Sequence, residues 1–469
     1  MAKKLWILSE ERPKIEAIGF VLEKFSKDQG IASFIDKLRV VPVQNEKGDF
    51  SFWYEVIGYR TPQVDRVLLK IISGNSSFID FLVFFQEQEP TEGDRPLFMV
   101  EETKTDDEES RNTGVFQRCS KFVYAELHYP NMDLNMYYNL KIEQRASQTD
   151  TNIFGTRCLR SLGIKIGGKV VDDKLNTPFS TLEEMIKFKL EMRPPPAGNV
   201  PIQISIVEKE LQISGRLFKA GGLKHDPNIG ALTLIASTAR KLGWKGKIVI
   251  TRHGLSQSHL QPGNKFVRIA SAVGIEVQGL KMPESELEHP YWHYNTTGEK
   301  LATIFVHLVV ENFTNGMSVF ENHAGSEKGY FVTPEKKYLA LEKYVPGVEP
   351  RKSIDIPDLI LLDVERKQIL NIEGKTFQNM DLGIRTIENY TDIERMYIKK
   401  FYPGYKIQRS VVLYGSTNEH IEQIQVSFLL NQEGKVILGI KAPPLFREAF
   451  NNLEKYWSKQ PNSIVGSGV

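Results

Sequence analysis

Apolar and polar positions alternate along the chain in short blocks, which predicts strands and helices in turn. Ile15, Ile18, Val21, Leu22 and Phe25 recur at helical spacing, with Ser9 as a candidate N-cap. FSFWYEVIGY, VDRVLLKIIS and FIDFLVFF predict strands, followed by an acidic loop, EQEPTEGDR, and a further strand, PLFMVEETK. Gly114 to Leu127 reads as a helix. After a proline-rich break, RPPPAGNVP, strands are expected at IQISIV, LQISGRLF, KIVIT and IEVQGL. Helices fall between them, one opened by Asp226 and Pro227 and ending at Gly243, the other at NKFVRIASAVG. A second break, VPGVEPRKSIDIP, leads into strands DLILLD, QILNIEGK, SVVLYG and KVILGI, with helices expected at TIENYTDIERMYIKKFY and EHIEQIQVSFLL.

These breaks divide the chain into residues 1–150, 151–345 and 346–469, each of mixed α/β character. The length of 469 residues allows several domains with buried cores. No window approaches the ~18 consecutive apolar residues of a membrane span, and LWIL near the N-terminus is too short for a secretory signal. Cys119 and Cys158 form no CxxC pair and read as reduced thiols of a cytoplasmic protein. The net charge of +2 conceals a basic stretch: residues 211–270 carry ten Lys or Arg and one acid, Asp226. Such a footprint suits a polyanion, most simply a phosphate backbone.

Candidate chemistry lies at two strand ends. QILNIEGK delivers Glu373 and Lys375 two residues apart, hence on one strand face. The spacing alone is weak, because Asp172/Lys174, Glu335/Lys337 and Glu433/Lys435 repeat it. Context separates the pair from these. A hairpin turning between Glu365 and Arg366 places Asp358 directly opposite Glu373, with Cβ atoms about 5 Å apart. Two carboxylates at that spacing suit one divalent cation, and a nearby ammonium suits an attacking water. The same reasoning near the N-terminus, with a turn centred on Thr91, pairs Asp80 with Glu102 and sets Lys104 beside them. Both strand ends are followed by a helix that closes on Tyr-Pro, at Tyr129-Pro130 and Tyr402-Pro403.

Asp80 with Glu102 and Lys104, and Pro357-Asp358 with Glu373 and Lys375, resemble the PD-(D/E)XK signature of type II restriction endonucleases. The resemblance covers both outer segments. It implies two restriction-endonuclease-like domains, each a mixed sheet flanked by helices, around a central α/β basic region. It also implies Mg²⁺ held by Asp80, Glu102, Asp358 and Glu373, catalytic lysines at Lys104 and Lys375, and cleavage of double-stranded DNA to 5′-phosphate and 3′-hydroxyl ends. The N-terminal copy carries Ile79 where proline is usual. The family often adds an acid from the first helix, for which Glu16 and Glu342 are candidates. Two different sites in one chain suit a monomer cutting each strand of an asymmetric sequence, with a homodimer left open. Candidate DNA contacts are Arg216, Lys219, Lys224, His225, Asn228, Arg252, His253, Gln257, His259, Asn264, Lys265 and Arg268. A DNA-binding protein without cleavage, and a repair or recombination nuclease of low specificity, are the alternative readings.

Other signals carry less. GIKIGGKV lacks the Ser or Thr of a P-loop. HPYWH has i,i+4 histidines, but Pro290 spoils the helix that would align them on zinc. FENHAGSEKGYF reads as a DNA-facing or structural loop.

Overall fold

The computed structural model describes residues 3–10, 12–45, 49–72, 79–103, 115–139, 150–168, 176–192, 202–215, 217–219, 222–223, 227–285, 298–323, 329–416, 421 and 423–459. The chain is mixed α/β, with several mixed sheets flanked by helices. It forms two compact units. Met1–Gly74 and Asn295–Val469 make one, and Asn75–Tyr294 makes the other. This division differs from the three consecutive segments expected from the proline-rich breaks, because the N-terminal 74 residues pack with the C-terminal part of the chain.

In chain order, the first unit begins with β1 (Lys4–Ser9), α1 (Ile15–Gln29), β2 (Phe34–Gln44), β3 (Phe50–Arg60) and β4 (Val67–Ile71). Strands β2, β3 and β4 form an antiparallel meander, and β1 pairs in parallel with β4. Helix α1 buries the apolar stripe expected of it, Ile18, Val21, Leu22 and Phe25. Ser9 ends β1 instead of capping α1, whose N-cap is Lys14. LWIL is therefore a buried strand, and the helix begins only after Pro13.

The second unit holds β5 (Phe81–Gln86), β6 (Phe98–Thr103), α2 (Val115–His128), β7 (Leu134–Tyr138), α3 (Asp150–Ser161), β8 (Lys165–Gly168) and α4 (Leu182–Glu191). It continues with β9 (Gln203–Val207), β10 (Glu210–Ser214), β11 (Phe218–Lys219), β12 (Gly222–Leu223), α5 (Pro227–Lys241), β13 (Lys247–Thr251), α6 (Lys265–Val273) and β14 (Ile275–Val277). Strands β5 and β6 form a hairpin, and α2 crosses over to β7, which is parallel to β6. Strand β8 adds in parallel to β7. A second sheet runs β14-β13-β10-β9. Helix α2 packs on α5, and Val123, Tyr124 and Ile269 share a core.

The chain then returns to the first unit with α7 (Gly298–Phe313), β15 (Met317–Glu321), β16 (Tyr330–Val332), β17 (Tyr338–Ala340), β18 (Leu359–Asp363) and β19 (Gln368–Thr376). It ends with α8 (Met380–Glu388), a helical run Thr391–Phe401, β20 (Lys406–Gly415), β21 (Val426–Asn431), β22 (Val436–Leu438) and α9 (Pro444–Ser458). The sheet order is β15-β18-β19-β20-β21-β22. Strands β18 and β19 are antiparallel, whereas β19, β20 and β21 are parallel. Buried α7 was not expected from periodicity, because it is apolar nearly all round. The helix expected at EHIEQIQVSFLL is instead strand β21 over its second half. All six residues of VSFLLN are buried, a pattern of two covered faces that a parallel strand satisfies.

Candidate active sites

The hairpin β18–β19 sets the first site. Leu359 pairs with Ile372 and Asp363 with Gln368, the register expected from a turn between Glu365 and Arg366. Asp358, one residue before β18, therefore lies across from Glu373. Its Oδ2 accepts a 2.8 Å hydrogen bond from the amide of Gly374. Lys375 Nζ donates to Glu373 Oε1 at 2.6 Å and to the Gly374 carbonyl at 3.0 Å. The buried Tyr390 hydroxyl donates to Glu373 Oε2, which fixes the carboxylate from its other side.

A third carboxylate arrives from α7. Glu299, in its first turn, accepts from the amide of Thr376 at 3.3 Å and bears electrostatically on Asp358 and Lys375. Glu342 is exposed, and its amide donates to Tyr397. Glu16 is exposed on α1 and bears on Arg12. The acid beside Asp358 thus comes from neither expected candidate.

Gly374 explains how α7 comes so close. A Cβ there would meet Thr303 Cγ2 at 2.4 Å and the Glu299 carbonyl at 3.1 Å. Only glycine leaves room for the helix against the strand end. Gly383 of α8 similarly makes space for the Lys375 stem, whose Cγ would sit 2.9 Å from an added Cβ.

The electrostatics follow from burial. Desolvation first, and then the facing Glu373, push the Asp358 carboxyl up to about 7, against the Gly374 amide and Lys375. Burial tends to lower the Lys375 ammonium. Its hydrogen bond and charge attraction to Glu373 prevail and hold it above its ordinary value. Burial and the adjacent Glu373 push the Tyr390 phenol far up, so it remains a donor. Asp358 and Glu373 offer hard oxygen donors with one ammonium beside them, and Glu299 adds negative charge nearby. That set fits a hard dication.

In the second unit, β5 and β6 pair with Phe81 opposite Val100. Asp80 therefore faces Glu101, one residue earlier than expected. The contacts agree with the shift. Asp80 N donates to Glu101 Oε2 at 3.2 Å, and Glu102 N donates to Asp80 Oδ2 at 2.6 Å. The Glu102 carboxylate instead accepts from Asn139 Nδ2 at 2.6 Å. Lys104 lies outside the described residues. From α2, Lys121 Nζ reaches Glu101 Oε1 at 3.0 Å and Asp80 Oδ1 at 3.8 Å, and Arg118 Nε lies 3.5 Å from Glu101 Oε1. A partner for Asp80 one position along, and a cation from a helix, were both missed by spacing within the strand.

The candidate DNA contacts scatter. Arg216, Lys224 and His225 lie outside the described residues, as do the side chains of Lys219 and Lys265. Several others serve local structure. Gln257 spans to Lys281 through both ends of its amide, at 2.7 and 3.0 Å. His253 bridges the Gln278 carbonyl and the Leu255 amide, His259 accepts from Ser256 N, and Asn264 caps α6 through Phe266 N. Arg252 is exposed on the loop after β13, whereas Asn228 and Arg268 are half-buried.

His307, Glu321 and His323 also converge. His307 Nδ1 lies 2.9 Å from His323 Nε2, and His307 Nε2 lies 3.0 Å from Glu311 Oε1. Arg12 binds Glu311 at 2.8 Å and Glu321 at 2.7 Å, and Lys14 also binds Glu321. His307 and His323 are hydrogen-bonded to each other, Arg12 occupies Glu321 Oε2 and Lys14 occupies its Oε1, so the converging atoms already satisfy one another. The cluster is an ion network joining the N-terminal segment to α7 and β15. HPYWH lies outside the described residues, and GIKIGGKV forms strand β8 over Lys165–Gly168.

No protein-family model, curated protein or solved structure matches this chain.

Proposed function

We propose that the chain is a Mg²⁺-dependent, sequence-specific endonuclease of double-stranded DNA, of the type II restriction kind. The observation that supports this most is the opposition of half-buried Asp358 and buried Glu373, with Lys375 on the same strand face. Two facing carboxylates raise each other's cost of ionisation unless a cation joins them. Asp358 and Glu373 would hold that cation, with the Glu299 charge nearby. Mg²⁺, when bound, supplies positive charge to the scissile phosphate and eases ionisation of the attacking water.

Lys375, held as an ammonium, orients the water and stabilises the hydroxide that forms. Tyr390 keeps Glu373 aimed at the site through its hydroxyl. The water oxygen forms a bond to phosphorus while the bond from phosphorus to the 3′ oxygen breaks. The water proton passes to solvent, and the leaving oxygen takes one up. The products are 5′-phosphate and 3′-hydroxyl ends. A second site in the other unit would cut the second strand, which suits an asymmetric target read by a monomer.

Digestion of a defined plasmid with Mg²⁺, beside a Ca²⁺ binding control, tests the reading. Discrete fragments support it. Binding in Ca²⁺ with no cleavage in Mg²⁺ favours a DNA-binding protein, and a smear favours a repair or recombination nuclease.

A further inference from the structure

We propose that Lys121, carried on helix α2, is the catalytic ammonium of a second hydrolytic centre built on Asp80 and Glu101. This rests on the nuclease reading above and assigns its second site.

Two hairpins of different sequence correspond in the chain. In each, an aspartate at the strand entrance faces a glutamate on the partner strand, Asp358 with Glu373 and Asp80 with Glu101. In each, the amide after that glutamate donates to the aspartate Oδ2, from Gly374 at 2.8 Å and from Glu102 at 2.6 Å. In each, an ammonium rests on the glutamate Oε1, Lys375 at 2.6 Å and Lys121 at 3.0 Å. In each, a helix then crosses over to a parallel strand.

The source of the ammonium is what differs. Two residues past the glutamate, β19 carries Lys375 and β6 carries Thr103, which is buried and neutral. The crossover helix compensates in the opposite sense. Helix α8 places Gly383 beneath the Lys375 stem, whereas α2 sends Lys121 inward. The same charge reaches the same oxygen from either side. A buried ion pair is a poor source of stability compared with apolar packing, so stability alone gives little reason for the match. In the reaction described above, the Lys121 ammonium would orient the water and stabilise the hydroxide that forms, the proton passing to solvent and the same bonds being made and broken.

The test uses the full chain on a supercoiled plasmid with one target site and Mg²⁺. Lys121→Met keeps the apolar stem. It should slow one strand's cleavage about a hundredfold or more, leaving open-circular DNA. Lys375→Met should do the same for the opposite strand, as read by primer extension. Separately, Mn²⁺ binding followed by electron paramagnetic resonance should count two ions in the unaltered chain and in Lys121→Met. Glu101→Gln should leave one, and so should Asp358→Asn. Cleavage of both strands by Lys121→Met at the unaltered rate would overturn the assignment. So would nicking of the same strand by both lysine variants, or an ion count that Glu101→Gln does not change. If the unaltered chain cuts no DNA, the nuclease reading fails on its own, and the ion count still decides whether Asp80 and Glu101 form a centre.

Discussion

Asp358 holds a proton to about pH 7, whereas an unfolded chain releases it near 3.8. The folded value lies above the unfolded one, so protonation favours the fold. The penalty of the charged form is absent below about pH 4, grows through the interval and is complete above about pH 7. Asp358→Asn removes that penalty. Its unfolding midpoint should exceed that of the unaltered chain at pH 8, by about 2–4 °C per kcal/mol relieved, and show no gain at pH 4. Thermal melts at the two pH values check this, and a lower midpoint at pH 8 would show that the carboxylate stabilises the fold. Proton and cation also compete for Asp358. Mg²⁺ affinity measured by titration calorimetry should fall about tenfold per pH unit below 7. The partner of Asp358 was legible because a tight turn between Glu365 and Arg366 fixes the register. The partner of Asp80 was not. The loop from 87 to 97 carries its own turn, with Asp94 accepting from the Thr91 amide at 2.7 Å. A shift of one residue then exchanges the two faces of β6, and Glu101 takes the place expected of Glu102.

Between elements, the first site depends on how closely α7 approaches β19. The nearest atoms to an added Cβ at Gly374 would be Thr303 Cγ2, the Glu299 carbonyl and Asp358 Oδ2. Gly374→Ala should therefore destabilise the chain by about 1–3 kcal/mol and displace the turn that carries Glu299. Thr303→Ser deletes the methyl in the tightest contact, so the double variant should recover part of the loss. Urea denaturation of the two single variants and the double variant measures the coupling, and strict additivity would refute the contact. Helix α7 also shows where periodicity fails. Ala302 to Val310 are all buried, so no apolar stripe marks the helix. A polar stripe does mark it: Glu299, Thr303, His307 and Glu311 fall four apart, on one face. That face meets Gly374, His323 and Arg12. Glu299 was legible by this inverse pattern, polar positions at helical spacing within an apolar run.

At the scale of the molecule, the unit that carries Asp358 is assembled from both ends of the chain. Arg12, in the segment after β1, lies between Glu311 of α7 and Glu321 of β15. Arg39 donates to the Asn312 carbonyl at 2.7 Å, Phe50 N donates to the Gly434 carbonyl at 2.9 Å, and the Phe50 ring meets Phe305 edge-on. No reading of local pattern reveals such contacts, because the partners stand some 300 residues apart, as Arg12 and Glu321 do at a separation of 309. Burial would raise both glutamates, yet Arg12 overrides it and holds both well below the usual carboxylate range. Replacing Arg12 by Met fills its volume but leaves two half-buried carboxylates short of a counter-charge. A loss of about 3–5 kcal/mol is expected. Hydrogen–deuterium exchange should locate it, with protection falling in β1, α7 and β15 and holding in β10 and β13 of the other unit. Residues 295–469 expressed alone should likewise fail to show protected amides in α7, and joining residues 1–74 to them through a flexible linker should restore that protection. If the C-terminal fragment alone protects α7, the N-terminal segment is dispensable to the site, and Arg12 merely covers a unit that folds without it.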